Sequence, residues 1–155
     1  MIHEAQILAL IAAWHQFFAE NNWRELIQGY TPKKNGCGII YELPNFLNRP
    51  KESCAMADMR NIAFAEPHYH PELEIYFVIE GSATIVIGTT AYQIKKGDYI
   101  VIPPNKAHFI IPDSNFIIGI INTPPFNANN YVALTESNSV VEFDYQQFKQ
   151  LVNQL

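Results

Sequence analysis

Short apolar runs separated by turn-forming residues fill the chain from position 54 to about 123, and this pattern constrains the fold most strongly. Turn signals that recur about every 8–12 residues are typical of β-sandwiches and barrels. The run 116–121 is apolar throughout apart from a glycine, which predicts a strand buried on both faces. We therefore expect an all-β core. The turn-forming positions are 66–67, 80–81, 88–90, 96–98, 103–106 and 112–115.

A helix is predicted before this core. Apolar residues recur at helical spacing between positions 4 and 20, with Leu10, Ile11 and Trp14 at the centre of the stripe. We expect this amphipathic helix to pack on the outside of the core; a dimer contact or a lid is the alternative.

A second helix is predicted at the end of the chain. Asp144 is a good N-cap and Gln147 follows at the spacing of a capping box. Four residues would form its apolar face: Phe148, Leu151, Val152 and Leu155. The predicted organisation is a helix and extended arm packing on the barrel (1–53), a barrel core (54–126) and a C-terminal extension with a helix (127–155).

The composition excludes several classes of protein. Hydrophobic residues make up 48% of the chain and charged residues 16%, which is typical of an ordered globular protein. The net charge of −5 indicates no basic surface for nucleic acid. The N-terminal apolar run lacks the basic residues of a signal peptide and is too short to span a membrane, so we expect no membrane partner and a cytoplasmic location. Cys37 and Cys54 are expected to be reduced thiols, and a single disulfide is the alternative.

A cluster of histidines and carboxylates carries the chemistry. His68, His70 and Glu74 share even parity, so on a β-strand their side chains would point to one face, and His108 would join them from a later strand. Imidazole and carboxylate ligands suit one divalent transition metal such as Fe, Mn, Ni, Zn or Cu. Glu72 has the same parity, but Glu74 is the better candidate because it lies within the strand, beyond the bend expected at the preceding proline.

Two stretches of the sequence resemble the paired motifs of the cupin superfamily, and the resemblance covers roughly residues 54–125. The first stretch reads His68-x-His70-x₃-Glu74-x₆-Gly81, and the second reads Gly97-x₅-Pro103-x-Asn105-x₂-His108. The resemblance, which extends to small single-domain cupins of the mannose-6-phosphate isomerase-like type, implies a double-stranded β-helix, or jelly roll. It also implies one metal ion bound by His68, His70, Glu74 and His108.

Two positions depart from the cupin pattern, and neither is a predicted ligand. Ile62 stands where the first motif usually begins with glycine, and Asn105 replaces a glycine of the second motif. Asparagine tolerates the left-handed backbone conformation, so we expect the turn before His108 to form.

The function that we predict is metal-dependent chemistry on a small organic substrate, of the dioxygenase, isomerase or decarboxylase type. Glu74 and Tyr76 are the candidate catalytic residues, and Arg60 is a weaker candidate for contact with an anionic substrate. The alternative is a non-catalytic module that binds or senses a metal or a small molecule. The loop that ends in Phe126 is expected to close the barrel rim, and we expect a homodimer.

Overall fold

The computed structural model describes residues 4–44, 48 and 50–155. Within this part of the chain, most residues lie in short antiparallel strands, with a helical segment at each end. The helices are α1 (Glu4–Glu20), α2 (Trp23–Leu26) and α3 (Tyr145–Val152), with 3₁₀ turns at Ile27–Gly29 and Ala128–Asn130. The strands are β1 (Pro32–Asn35), β2 (Gly38–Glu42), β3 (Ser53–Asp58), β4 (Ala65–Tyr69), β5 (Leu73–Glu80), β6 (Ser82–Ile87), β7 (Thr90–Lys95), β8 (Tyr99–Ile102), β9 (His108–Pro112), β10 (Ile117–Thr123) and β11 (Val132–Ala133).

The strands form two antiparallel sheets that enclose one interior. The six-stranded sheet has the order β1-β2-β3-β10-β5-β8, and the five-stranded sheet has the order β11-β4-β9-β6-β7. Consecutive strands repeatedly pass from one sheet to the other, which is the connectivity of a jelly roll. The predicted all-β jelly roll with terminal helices is confirmed.

The side chains of β5 divide between two cores because successive residues of a strand point to opposite faces. Tyr76 and Val78 pack in the barrel interior. Ile75, Phe77 and Ile79 face the other way, into a core formed with α1. Glu74 has the parity of the inward residues, and this places its carboxylate inside the barrel.

The central strand β10 is buried on both faces, as its unbroken apolar run predicts. Its outer face lies under α1, where Trp14 is 1% exposed. A Cβ atom at Gly119 would lie 2.0 Å from the Trp14 ring, so only glycine leaves room for the indole at this position. The prediction that the N-terminal helix packs outside the core is therefore confirmed.

The C-terminal helix α3 covers the five-stranded sheet through Phe148, which packs with Phe109. Asp144 caps the helix as predicted, since its Oδ1 accepts from the backbone N–H groups of Gln146 and Gln147. The reciprocal half of the capping box is absent, because the Gln147 side chain donates to the Thr89 carbonyl instead. Leu155 is 66% exposed and lies outside the apolar face to which the spacing assigns it.

Both sheets continue across the predicted segment boundaries. Strand β2, from the N-terminal arm, pairs with β3, and β11, from the C-terminal extension, pairs with β4. The boundaries near 53 and 126 stay predictions. Neither Cys37 nor Cys54 forms a disulfide bond among the described residues, as expected. In the described ranges, no helix combines the length and the apolar character needed to cross a membrane.

Candidate metal centre

The first three residues of the site lie on two strands of different sheets and on the bend that connects them. His68 is in β4 of the five-stranded sheet, His70 lies in the bend that follows, and Glu74 is the second residue of β5 in the six-stranded sheet. The expectation that they share one face of a single strand is wrong, because the bend at residues 70–72 carries the chain from one sheet to the other. The side chains converge because both sheets turn their inner faces to the same interior.

A turn predicted at residues 66–67 is instead an irregularity within β4. The register of β4 on β9 shifts between Ala65 and His68. Pro67 lies inside this shift, and proline has no N–H to donate to a strand ladder. Beyond the shift, His68 stands directly opposite His108.

The second stretch delivers His108 to the start of β9. Asn105 adopts a left-handed conformation with φ of 61°, as its place in the turn predicts. Its backbone N–H donates to the His70 carbonyl at 2.8 Å, which ties the two stretches together beside the site.

Four side chains meet inside the barrel: His68, His70, Glu74 and His108. One donor atom from each lies within 4.8 Å of the other three, and among the described residues this is the group of histidine, cysteine and acidic side chains close enough to hold a metal ion. Their exposed fractions are only 1–5%. A cluster this buried needs internal partners for its polar atoms.

The backbone sets the orientation of all three imidazoles. Nδ1 of His68 lies 2.8 Å from the Glu66 carbonyl, Nδ1 of His70 lies 3.1 Å from the Glu72 carbonyl, and Nδ1 of His108 lies 2.8 Å from the Lys106 carbonyl. A carbonyl oxygen only accepts, so each Nδ1 carries the proton. In the neutral ring, each Nε2 then presents its lone pair, the form in which histidine binds metals.

Two of these Nε2 atoms face the Glu74 carboxylate. Nε2 of His108 lies 3.1 Å from Glu74 Oε1, and Nε2 of His70 lies 3.5 Å from Oε2 without a hydrogen bond to any described residue. Asn122, opposite Glu74 on β10, donates its amide to Oε2 at 2.9 Å. Acceptors that face one another in a buried space are stabilised by a cation between them. The donor set therefore fits a divalent transition metal.

The electrostatics keep two ligands in their metal-binding forms. Burial, together with the neighbouring His108, lowers the pKa of His68 to about 3, so this ring is neutral. Burial alone would raise the pKa of Glu74, but its interactions with His108 and His70 outweigh that effect and keep the pKa well below its usual value. Burial alone would lower the pKa of His70, but its interactions with Glu74 outweigh that effect and raise the pKa.

Glu72 is buried beside the cluster but points away from the donor atoms. Its Oε1 accepts from the Asn127 N–H at 2.9 Å, and its Oε2 lies 3.6 Å from Nδ1 of His70, on the far side of that ring from Nε2. Oε2 has no hydrogen bond from the described residues. The geometry thus groups Glu74 rather than Glu72 with the three histidines.

Tyr76 lies two residues beyond Glu74 on the same face and is 4% exposed. Its ring centroid is 6.2 Å from that of His108. Burial and the charge of Glu74 raise its pKa well above the usual value, so the hydroxyl is a neutral donor beside the carboxylate. Its catalytic role stays a prediction.

Two aromatic rings complete the surroundings of the cluster. The Phe126 ring meets His70 edge-on at 5.7 Å, and Tyr131 stacks on His68 at 4.5 Å. Cys37, from the N-terminal arm, also lies near the site, where burial and then the charge of Glu74 raise its pKa to about 12.

Arg60 is engaged elsewhere. Its guanidinium forms two hydrogen bonds with Asp58 and lies 5.0 Å from the centre of the Trp23 ring. No local pattern in the sequence points to Asn122, Glu66 or Tyr131, because their proximity to the cluster depends on strand pairing and on a loop.

Comparison with known proteins places the barrel in a family. A family model described as an AraC-like ligand binding domain matches residues 49–155. Over 72 residues the chain is 36% identical to a gentisate 1,2-dioxygenase from Haloferax sp, covering 46% of this chain and only 20% of that enzyme. It is 34% identical over 95 residues to an uncharacterised protein of Methanocaldococcus jannaschii, covering 57% of this chain and 75% of that protein.

Solved structures share the fold at low sequence identity. Pac13, described as a nucleoside dehydratase and known from Streptomyces, superposes with a TM-score of 0.59 at 13% identity, over 74% of this chain and 94% of Pac13. Oxalate decarboxylase from Bacillus subtilis gives a TM-score of 0.59 at 18% identity, over 70% of this chain and 31% of the enzyme. The chain therefore belongs to the AraC-like ligand-binding domain family, within the cupin superfamily.

Proposed function

We propose that the protein binds one divalent transition metal through His68, His70, Glu74 and His108 and uses it to act on a small organic substrate. The observation that carries the proposal is the convergence of three Nε2 atoms and a carboxylate, with every Nδ1 already held by a backbone carbonyl. Four protein ligands leave coordination positions free for a substrate on a metal that accepts five or six ligands.

A bound metal of this class supplies Lewis acidity or, when it is redox-active, oxygen chemistry. The chain itself supplies orientation and proton control. Asn122 holds one oxygen of Glu74, and Tyr76 offers a protonated hydroxyl beside the same carboxylate. Tyr76 can therefore donate a hydrogen bond to a substrate oxygen, and Glu74 is the candidate to exchange a proton with the substrate.

The relatives support metal-dependent chemistry on a small organic substrate, but they do not select one reaction type. The gentisate dioxygenase is 36% identical to this chain over 72 residues, and the match spans about a fifth of that enzyme's length. The structural neighbours are named as a dehydratase and a decarboxylase. We accordingly propose that the substrate is a small organic molecule. We also propose that the protein is a cytoplasmic homodimer, and sedimentation analysis tests the dimer.

Elemental analysis of the purified protein tests the metal site. We expect about one transition-metal ion per chain, and none in the double variant His70→Ala/His108→Ala, whose circular dichroism should stay that of the wild type. His15→Ala is the matched control, since this exposed histidine lies on α1. Stoichiometric metal in the double variant would contradict the assignment.

A ligand-binding module without catalysis is the second candidate function. The family model favours it, because it is described as a ligand-binding domain and covers residues 49–155. Oxygen-consumption measurements on the metal-loaded protein with phenolic, thiol and diketone compounds distinguish a dioxygenase, one form of the first proposal, from a binding module. Saturable binding of such a compound with neither oxygen uptake nor product favours the binding module.

A further inference from the structure

The segment 124–131, which we call the strap, connects β10 to β11 and crosses the metal centre. It carries two of the aromatic rings that contact the cluster, Phe126 on His70 and Tyr131 on His68. Phe126 touches a histidine that is 2% exposed, yet is itself 42% exposed. At this point the strap is a single layer between the metal centre and solvent.

Glu66 contacts both His68 and the strap. Its backbone carbonyl accepts the Nδ1 proton of His68 at 2.8 Å. Its carboxylate accepts the Tyr131 hydroxyl at 2.6 Å, and the Tyr131 ring stacks on that same histidine. A Cβ at Gly36 would lie 2.9 Å from the carboxylate, so a glycine in the β1–β2 turn leaves the space that Glu66 occupies.

Glu72 repeats this arrangement at His70. Its backbone carbonyl lies 3.1 Å from the Nδ1 of His70, and its Oε1 accepts from the Asn127 N–H at 2.9 Å. Phe126, next to Asn127, packs its ring against the same histidine. The second oxygen of Glu72 has no hydrogen-bond partner among the described residues. Within the described part of the chain, the hydrogen bond from Asn127 of the strap is therefore the one that this buried carboxylate accepts.

We propose that Glu66 and Glu72 are positioning residues that couple closure of the strap to the orientation of His68 and His70. Each glutamate orients one histidine through its carbonyl and holds the strap through its side chain. When the strap is docked, the two rings limit rotation of the imidazoles and cover the metal. When it is released, the metal exchanges with solvent more readily. This inference rests on the proposed metal site.

The test uses the full chain loaded with Co²⁺, whose visible spectrum reports ligand geometry. Transfer of Co²⁺ to excess EDTA gives the release rate, and hydrogen exchange of residues 124–131 reports docking of the strap. Tyr131→Phe keeps the stacked ring but removes the hydrogen bond to Glu66. Glu72→Ala removes the acceptor for Asn127, whereas Glu72→Gln keeps an oxygen there. Tyr92→Phe, at a 45% exposed tyrosine on β7, is the matched control.

Tyr131→Phe and Glu72→Ala should each release Co²⁺ about 3- to 10-fold faster, the effect expected for one lost hydrogen bond. Exchange within the strap should accelerate in parallel, and the cobalt spectrum should change. Glu72→Gln and Tyr92→Phe should match the wild type. Tyr131→Phe retains the ring, so it carries the test even where Glu72→Ala does not fold.

Wild-type release rates in Tyr131→Phe would overturn the coupling, as would faster release without faster exchange in the strap. In either case the wild type still holds cobalt and the metal site stands. A wild-type protein that takes up no Co²⁺ would overturn the metal site and the coupling together.

Discussion

The two faces of the six-stranded sheet differ in what they bury. The outer face lies under α1 and is apolar, with Trp14 packed against the glycine of β10 and the odd-numbered residues of β5. At one end of the inner face, Glu74 meets the three histidines and accepts a hydrogen bond from Asn122. The same two strands serve both faces, so one side can supply stability while the other holds polar groups that are costly to bury.

The largest effect should come from the apolar side. Trp14→Ala removes an indole that is 1% exposed and should cost about 3–5 kcal/mol of unfolding free energy, measured by chemical denaturation. Leu8→Ala on the same helix is the control, since Leu8 is 50% exposed and should change stability by under about 0.5 kcal/mol. Metal stoichiometry should be unchanged in both variants. Loss of metal in a folded Trp14→Ala variant would show that the two faces are not independent.

The polar cluster on the inner face should add to the stability when metal is bound. At a free metal concentration of 100 times Kd, binding to the folded state alone adds about 2.7 kcal/mol, which thermal unfolding with and without a chelator will detect as a rise in Tm. The variant His70→Ala/His108→Ala should show no such rise. An equal rise in that variant would mean that the metal stabilises the protein from another site.

The N-cap of α3 tests whether this second covering helix, like α1, contributes to stability independently of the metal centre. Asp144→Ala removes the acceptor for two backbone N–H groups and should cost about 1 kcal/mol, read from the denaturation midpoint. Asp144→Asn should recover most of the loss because its amide oxygen still caps. Release of Co²⁺ should be unaffected, and a faster release would connect α3 to the site.

The smallest effect concerns the ion pair of Asp58 and Arg60 at the end of β3. Burial alone would raise the pKa of Asp58, but the hydrogen bonds and charge of Arg60 outweigh it and keep the pKa below its usual value. A carboxyl whose pKa is lowered by folding contributes stability above its unfolded pKa of about 3.9, and loses it as pH falls through the folded value.

Asp58→Asn should therefore destabilise the protein at pH 7 by about 1 kcal/mol or less, since Arg60 is partly exposed. The difference from the wild type should shrink as the pH falls below about 4. Denaturation curves of the wild type and the variant, recorded at pH 7 and below about pH 4, measure this difference in stability. A difference that grows on acidification would contradict the assigned direction of the pKa shift.

The local sequence pattern was sufficient to predict those features that depend on residues close together in the chain. Helical spacing predicted α1, the unbroken apolar run predicted β10, and the turn position of Asn105 predicted its positive φ. The identity of the four clustered side chains also followed from motif spacing. Three of them do not share one strand as their even parity predicts, because a bend at residues 70–72 separates two strands in different sheets.

The sequence by itself determined the all-β class, the two covering helices and the residue types of the candidate metal centre, because each depends on short-range periodicity or on spacing within a motif. The jelly roll was implied by the resemblance of two motifs to those of cupins. Only the tertiary structure decided which groups surround those residues. Asn122 reaches Glu74 through the pairing of β10 with β5, and Tyr131 reaches Glu66 from 65 residues away. Contacts of this kind depend on strand register and on the path of a loop, and a single sequence has no local periodicity that reports either.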